Sequence, residues 1–268
     1  MIKVNGETVE LGHYPDGTLL IKGKPKDWQY PNDVGISWLY ESDEELVALI
    51  FITNHLKRMS VKNINLWMPY IPNARMDRVK DDSDVFTLKY FTEVINFLGF
   101  SEIDVLDPHS NVSTALIDRV FVATPEEYVK QAMRDIPSED LLLFYPDEGA
   151  AKRYSDMFDR PYAFGIKKRD WKTGQIQGLD VAGNTELVKD KDILIVDDIC
   201  SRGGTFYHSA KKLKELGARN IYLYISHCEN TILKGDLLTS GLIERVYTTN
   251  SIFTKEHERI EVFDCDEY

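Results

Sequence analysis

The sequence predicts an α/β fold in which two lobes each contain a mainly parallel sheet flanked by helices. Three observations support this prediction. Apolar runs of strand length alternate with segments of helical periodicity through most of the chain. The runs at 141–145 and 193–196 are apolar throughout, as in strands that are buried on both faces of a parallel sheet. Polar residues directly follow several of these runs, at the sheet edge where open α/β sheets bind ligands.

The first lobe is predicted to occupy residues 1–125. A helix is expected over 43–59 with Ser42 as its N-cap, and a second over 84–98 with Gly99 as its stop. Strands are expected at 64–69 and 103–106. The sequence Thr-Pro-Glu-Glu at 124–127 matches a capping box with Pro125 at the first helical position.

The second lobe is predicted to occupy residues 126–268, with the last residues packing back on the first lobe. Its strands are expected at 141–145, 163–169, 192–198 and 220–227, and its helices at 149–158 and 204–216. This alternation is typical of βαβ units, which place their helices on the two faces of a parallel sheet.

The composition argues against several classes of protein. The chain of 268 residues has a formal charge of −12 at pH 7, whereas nucleic-acid binders need a surplus of Lys and Arg. No apolar run approaches the ~20 residues that span a bilayer, so we expect neither a nucleic acid nor a membrane as a partner. The opening sequence lacks the pattern of a secretory signal. Cys200, Cys228 and Cys265 form no CxxC pair, which favours a reducing cytoplasm, that of the host if the chain is viral.

The strongest functional signal lies at 193–205, where an apolar strand is followed by two acids and a glycine-containing turn. Asp197 and Asp198 end a buried strand, where charged side chains rarely form core, and they suit the vicinal hydroxyls of a ribose. The turn 201–205 opens a helix, so its backbone N–H groups and the helix dipole can bind a phosphate. The two halves together fit a sugar phosphate. The structural alternative is a tight turn whose aspartates cap the next helix.

This segment resembles the ribose-phosphate binding motif of type I phosphoribosyltransferases and of ribose-phosphate pyrophosphokinases (PRPP synthetases). Five other segments resemble PRPP synthetase segments and occur in that family's order. They are the early loop at 13–17, the ATP segment at 69–78, the metal segment at 105–110, the Pro-Asp-x-Gly turn at 145–149 and the start of the catalytic loop at 166–169. A plain phosphoribosyltransferase has no reason to carry the second and third of these. The resemblance implies two phosphoribosyltransferase-like lobes, in the short phage-type form.

The resemblance also implies a role for each matching residue. An ATP site would use Arg75, Asp77, Arg78, Asp16 and His109, and Mg²⁺ would be bound by His109 and Asp147. The ribose-phosphate site would use Asp197, Asp198, Ser201, Arg202, Gly203, Gly204 and Thr205. Lys167 and Arg169, at the start of a mobile lid, would stabilise the transition state.

Each of these assignments has an alternative that the residues alone leave open. Arg75 and Arg78 can form surface ion pairs with Asp77 or the acids at 81–82. His109 can be an ordinary hydrogen-bonded histidine. The basic run at 166–169 can be a solvated surface segment, and Lys168 can take the position given to Lys167.

The expected activity is that of a transferase and kinase of nucleotide biosynthesis. It would move the β,γ-pyrophosphoryl group of Mg-ATP to the anomeric hydroxyl of ribose 5-phosphate, giving PRPP and AMP. The loop around Asp16 would complete a neighbour's ATP site, so a homodimer or larger homo-oligomer is expected.

The sequence departs from the family in its phosphate turn. Ser201 and Arg202 replace the usual Asp-Thr, Met76 replaces Gln, and Thr18 stands where Glu is usual. Two alternatives follow. The same chemistry on ADP-ribose would give ADP-ribose pyrophosphate for NAD resynthesis. An inactive regulatory subunit is the second, although such a protein should lose the basic loop residues or the acid pair.

Overall fold

The computed structural model describes residues 1–22, 32–169, 176–183 and 185–266, and it describes no side chains for 167–169, 176–180, 183 and 185. The chain divides into two compact units. The first contains Met1–Ala123 and Cys265–Tyr268, and the second contains Thr124–Asp264. The predicted lobes, 1–125 and 126–268, remain our proposal for where two separately folding domains begin and end.

The first unit contains eight strands among its described residues. They are β1 (Ile2–Val4), β2 (Glu7–Thr8), β3 (Glu10–His13), β4 (Leu19–Lys22), β5 (Asp33–Trp38), β6 (Asn63–Trp67), β7 (Glu102–Leu106) and β8 (Val120–Ala123). Six of them form one sheet in the order β2-β1-β5-β6-β7-β8, in which β5 to β8 are parallel. Strands β3 and β4 form a separate antiparallel hairpin. The predicted strands at 64–69 and 103–106 are confirmed as β6 and β7.

The helices of the first unit are α1 (Glu44–Arg58), α2 (Thr87–Leu98) and α3 (Asn111–Leu116). The N-cap residue of helix α1 is Asp43 and not the predicted Ser42, and no side chain caps the helix; the first turn already begins with the backbone bond from the Glu45 N–H to the Ser42 carbonyl. Helix α2 buries one apolar face and ends at Gly99, whose φ is 62°. It starts three residues later than predicted, so Val85 lies outside the helix and is exposed.

The second unit contains seven strands within the described residues. They are β9 (Leu141–Tyr145), β10 (Tyr162–Arg169), β11 (Ile176–Gly183), β12 (Asp192–Cys200), β13 (Ile221–Cys228), β14 (Arg245–Thr249) and β15 (Ile260–Phe263). Their order is β11-β10-β9-β12-β13-β14-β15, and only the β10–β11 pair is antiparallel. The four predicted strands of this lobe are confirmed as β9, β10, β12 and β13.

The helices of the second unit are α4 (Glu126–Asp135), α5 (Glu148–Tyr154) and α6 (Gly204–Glu215), with 3-10 turns at Ser155–Met157, Thr185–Val188 and Asn230–Lys234. The predicted capping box at 124–127 is wrong. Pro125 is the N-cap residue of α4 and the helix has no side-chain cap, because Thr124 directly follows β8 and lies outside the first turn.

Strand β12 lies at the centre of the second unit. It pairs with β9 on one side and β13 on the other, and its residues pack into a core on each face of the sheet. Ile193 and Ile195 enter one core, whereas Leu194 and Val196 enter the other. The α/β fold class is confirmed. None of the described helices is long and apolar enough to cross a membrane.

The three cysteines are free and buried. Cys200 and Cys228 are far apart in the sequence, but they are paired positions of the β12–β13 ladder.

Candidate active site

Two carboxylates, Asp197 and Asp198, lie near the carboxyl end of strand β12, which continues to Cys200. Asp198 is 4% exposed, whereas Asp197 is only partly buried. The backbone N–H of Asp198 donates to Oδ1 of Asp197 over 3.0 Å, which fixes the two carboxylates relative to each other. The sequence predicted that the strand ends with this pair, whereas the strand extends two residues further, because Ile199 and Cys200 also pair with β13.

Arg153 is a functional candidate that the sequence reasoning missed. It lies in α5, and its Nη1 is 3.3 Å from Oδ1 of Asp198. A nearly buried carboxylate needs such a partner, since an unpaired buried charge is strongly destabilising. The sequence signal was an arginine about one helical turn after the Pro-Asp-x-Gly segment, which follows the strand beside β12.

The surroundings of Asp197 disfavour its charged form. Desolvation by the surrounding protein raises the pKa of Asp197 well above its usual value, and the carboxylates of Asp198 and Asp147 raise that pKa further. Three carboxylates therefore act on one another at this edge of the sheet. Such an arrangement favours a ligand that supplies hydroxyl donors or a cation.

Asp147 follows β9, the strand beside β12, and caps helix α5. Its Oδ1 accepts a hydrogen bond from the Ala150 N–H over 3.0 Å. This cap orients the carboxylate at the same sheet edge as the acid pair. The sequence gave Asp147 a metal-binding role only, whereas the structure gives it a capping role as well.

The turn 201–205 joins β12 to the first turn of α6. Gly203 has a φ of 80°, and a Cβ there would lie 2.8 Å from Cδ2 of Leu237. A Cβ on Gly235 would lie 2.0 Å from the Arg202 carbonyl oxygen. The segment 235–237 therefore packs closely against the turn. The Arg202 side chain is exposed, and the N-terminal N–H groups of the 12-residue helix α6 follow the turn.

Glu229 is the second residue that the sequence reasoning missed. Its Oε2 accepts hydrogen bonds from the Ser201 hydroxyl over 2.7 Å and from the Thr231 hydroxyl over 2.9 Å. Glu229 follows β13 just as the turn follows β12, so the parallel register brings the two loops together. A carboxylate therefore lies at the first residue of the turn that was assigned to phosphate.

The candidates in the first unit follow β7, β6 and β3. His109 lies just after β7, next to the buried Asp107, whose φ is 41°. Arg75 and Arg78 lie in the segment after β6, and Arg78 Nε is 3.3 Å from Oδ1 of Asp77. The surface ion pair considered as an alternative for Arg78 is therefore formed.

Asp16 lies in the turn of the β3–β4 hairpin. It accepts hydrogen bonds from the Thr18 N–H and hydroxyl, over 3.0 and 2.7 Å. These bonds, the backbone one first, lower the pKa of Asp16 below its usual value. Thr18, which departs from the family pattern, therefore fixes the carboxylate of Asp16.

Lys167 and Arg169 lie in β10, the strand that begins the antiparallel β10–β11 arm. Their backbone is described, with Lys167 opposite Leu179 and a register shift between Lys168 and Arg169. Their side chains, and the predicted lid residues 170–175, lie outside the described residues. Their catalytic role stays a prediction.

The carboxylates of the second unit fit a magnesium ion. Mg²⁺ usually keeps several waters and binds one or two carboxylates together with substrate phosphates. Asp147 and Asp197 interact electrostatically at the sheet edge and provide such oxygen ligands. In the part of the chain that the structure describes, no three His, Cys, Asp or Glu side chains form a ready metal cluster.

Comparison with known proteins identifies the class of this site. The phosphoribosyl transferase domain family matches residues 148–234, which include the acid pair and the turn. The fold is similar to the crystal structure of phosphoribosylpyrophosphate synthetase from Mycobacterium smegmatis. The TM-score is 0.75 at 19% identity, covering 96% of this chain and 86% of that one.

Two curated relatives extend the similarity beyond the second unit. Ribose-phosphate pyrophosphokinase 1 of Listeria monocytogenes is 30% identical over 232 residues, which are 82% of this chain and 69% of the relative. Ribose-phosphate pyrophosphokinase of Sulfurisphaera tokodaii is 28% identical over 266 residues, which are 96% of this chain and 88% of the relative. The site and fold are thus of the phosphoribosyltransferase type. The chain belongs to the ribose-phosphate pyrophosphokinase (PRPP synthetase) family of pyrophosphoryl-transferring enzymes.

Proposed function

We propose that this protein transfers the β,γ-pyrophosphoryl group of ATP to the anomeric hydroxyl of a ribose 5-phosphate unit, releasing AMP. The observation that carries the proposal is the acid pair Asp197–Asp198, joined by a short segment to the phosphate turn at the carboxyl end of β12. Ribose 5-phosphate is the first acceptor candidate, since the relatives are named ribose-phosphate pyrophosphokinases.

In this proposal each half of the motif binds one part of the acceptor. Asp197 and Asp198 accept hydrogen bonds from the ribose hydroxyls, and Arg153 holds Asp198 in place. The N–H groups of the turn 201–205 and of the first turn of α6 donate to the 5-phosphate. The anomeric hydroxyl is then fixed for in-line attack on the β-phosphorus, since such transfers depend mainly on positioning and charge stabilisation.

The ATP side of the reaction uses basic residues and a divalent cation. Arg75 and Arg78 bind phosphate oxygens, with Asp77, Asp16 and His109 completing the ATP site. Lys167 and Arg169 stabilise the charge that develops in the transition state. Magnesium held by Asp147 and His109 would supply charge neutralisation of the ATP phosphates.

ADP-ribose is a second acceptor candidate, favoured by the altered turn. Ser201 removes the charge and bulk of the usual Asp, and the exposed side chain of Arg202 can contact the second phosphate of a diphosphate bridge. The remaining rival is an inactive regulatory subunit, which should lack the acid pair or the basic run. This chain retains both. We keep the cytoplasm as the proposed location, since all three thiols are free.

The test of the proposed function is product analysis. The protein is incubated with Mg-ATP and either ribose 5-phosphate or ADP-ribose, and products are identified by mass spectrometry. We expect AMP and one pyrophosphorylated acceptor. Lys167→Ala should lower kcat by about 10²–10³, the scale for losing one preorganised donor. Lys168→Ala tests the alternative register, since the large loss of kcat would then occur in this variant and not in Lys167→Ala. The absence of a pyrophosphorylated product from both acceptors would refute the proposal.

A further inference from the structure

A cavity of about 590 Å³ lies on the surface of the second unit, between helix α4 and the segment 157–160. Its volume falls in the range of about 300–1,000 Å³ that is typical of ligand pockets. The segment directly precedes β10, and strands β9, β10 and β12 are parallel, so the cavity lies toward the amino end of the sheet. The acid pair lies near the carboxyl end of β12, and the cavity is therefore separate from the proposed acceptor site.

The floor of the cavity is apolar. It is formed by the side chains of Met133, Met157 and Phe158. Phe158 is buried, and the two methionines are partly buried against the same hydrophobic core. A flexible thioether adapts to the shape of its neighbour and makes favourable contacts with aromatic rings. This floor therefore suits a flat apolar group.

Two arginines on the rim of the cavity lack an ionic partner. Within the described part of the chain, neither Arg134 nor Arg160 forms an ion pair, and both side chains are exposed. Lys130, on the same rim, is paired with Glu126 at 2.7 Å. Asp159 also lines the cavity but pairs with neither arginine. The chain has 44 Asp and Glu against 32 Lys and Arg, so unpaired cations beside an apolar floor indicate an anionic ligand.

We propose that this cavity binds a small organic anion in which an aromatic ring carries a phosphate or a carboxylate. The ring lies on the apolar floor, and the guanidinium groups of Arg134 and Arg160 donate paired hydrogen bonds to the anionic group. Because Lys130 is already neutralised by Glu126, the two arginines and Asp159 leave the rim with one excess positive charge. The inference goes beyond the proposed function, since none of these residues belongs to that site.

The test uses anilinonaphthalene sulfonate, an aromatic anion whose fluorescence rises in apolar surroundings. The full chain is titrated with this dye while Mg²⁺, ribose 5-phosphate and a non-hydrolysable ATP analogue are present in excess to occupy the proposed active site. We expect one dye molecule to bind per chain, and its dissociation constant should rise with ionic strength. Inorganic sulfate should displace the dye only weakly, because sulfate has no ring to place on the floor.

The variants Arg134→Gln and Arg160→Gln remove the positive charge and keep a polar side chain. Each should raise the dissociation constant of the dye at least about fivefold, as for the loss of one partly screened charge-assisted hydrogen bond. Arg58→Gln is the matched control, because Arg58 is also an exposed arginine in the last turn of a helix, but that helix belongs to the first unit. Its dissociation constant should stay at the wild-type value.

Two competitors then identify the anionic group of the ligand. Displacement of the dye by phenyl phosphate assigns the site to aromatic phosphates, and displacement by benzoate assigns it to aromatic carboxylates. Displacement by neither overturns the proposal. The proposal is also wrong if both arginine variants bind the dye as the wild type does, if Arg58→Gln weakens binding equally, or if sulfate displaces the dye as readily as the aromatic anions do.

Discussion

At the scale of single residues, negatively charged carboxylates lie close together near the end of β12, and the folded protein offsets only part of their mutual repulsion. Asp198 has Arg153 as a partner, whereas the pKa of Asp197 is raised by burial and by its acidic neighbours. In the unfolded chain an Asp has a pKa of about 3.9. Folding therefore favours proton uptake at Asp197, and the free energy of unfolding falls as pH rises from about 4 toward the folded pKa. This destabilisation is typical of a site arranged for a ligand.

Asp197→Asn is expected to stabilise the ligand-free protein at neutral pH and to impair its activity. The variant has no charge to desolvate, so its melting temperature should exceed that of the wild type by a few degrees. In a chain of this size, a gain of about 1 kcal/mol in the free energy of unfolding raises the melting temperature by about 2–4 °C. The difference should shrink as pH falls toward 4 and disappear below it, where the wild-type carboxyl is protonated in both states. Activity should drop at least about tenfold, since charge-assisted hydrogen bonds contribute about 1.5–3 kcal/mol. Calorimetric scans between pH 4 and 7.5 and steady-state kinetics measure both effects.

Asp156→Asn is the control for that comparison, because Asp156 is exposed in the 3-10 turn after α5. Its melting temperature should follow the wild-type value across the pH range. If Asp197→Asn is less stable than the wild type at pH 7, or keeps wild-type kinetics, then the description of Asp197 as an uncompensated ribose-binding acid is wrong.

At the scale of elements, the turn between β12 and α6 depends on backbone shape. Gly203 has a left-handed backbone conformation and lies next to Leu237, and Gly235 lies close to the Arg202 carbonyl. Glycine is needed at these two places for different reasons, positive φ at the first and close approach at the second. The turn is therefore shaped jointly by its own sequence and by the segment 235–237.

Gly203→Ala should destabilise the protein and weaken phosphate binding. A non-glycine residue in the left-handed region costs about 1–2 kcal/mol, and the new methyl group would overlap Leu237. The measurement is chemical denaturation at 25 °C, with the affinity for inorganic phosphate as a second readout. Gly204→Ala is the matched control for stability, since a Cβ there has open space and an ordinary φ. Equal stability of the two variants would contradict the proposed constraint.

The elements that the sequence predicted correctly are those with a strong hydrophobic period. The strands β9, β12 and β13 each contain a long apolar run and were predicted within two residues. Helix starts were predicted less well, as for Ser42 and Pro125, because a cap depends on which backbone groups the preceding turn has already bonded. The edge strands β8 and β15, and β14 next to the edge, were not predicted, since such short segments depend on their sheet neighbours for stability.

At the scale of the whole molecule, the chain is predicted to act as at least a dimer. The hairpin turn around Asp16 is held by Thr18 and is exposed, as a loop that completes a neighbour's ATP site should be. Light scattering of an active sample should give a mass of two chains or more. Asp16→Asn should raise the KM for ATP without changing that mass. A fully active sample with the mass of one chain would rule out the shared site.

The sequence by itself determined the fold class, the acid pair and the phosphate turn, because each depends on a local pattern of apolar period, strand end and glycine. The tertiary structure alone revealed the partners of those residues. Arg153 reaches Asp198 because α5 packs beside β12, and Glu229 reaches Ser201 because parallel strands align their carboxyl ends. These contacts join residues 45 and 28 positions apart in the chain. No local sequence pattern encodes them, since they arise from strand order and register.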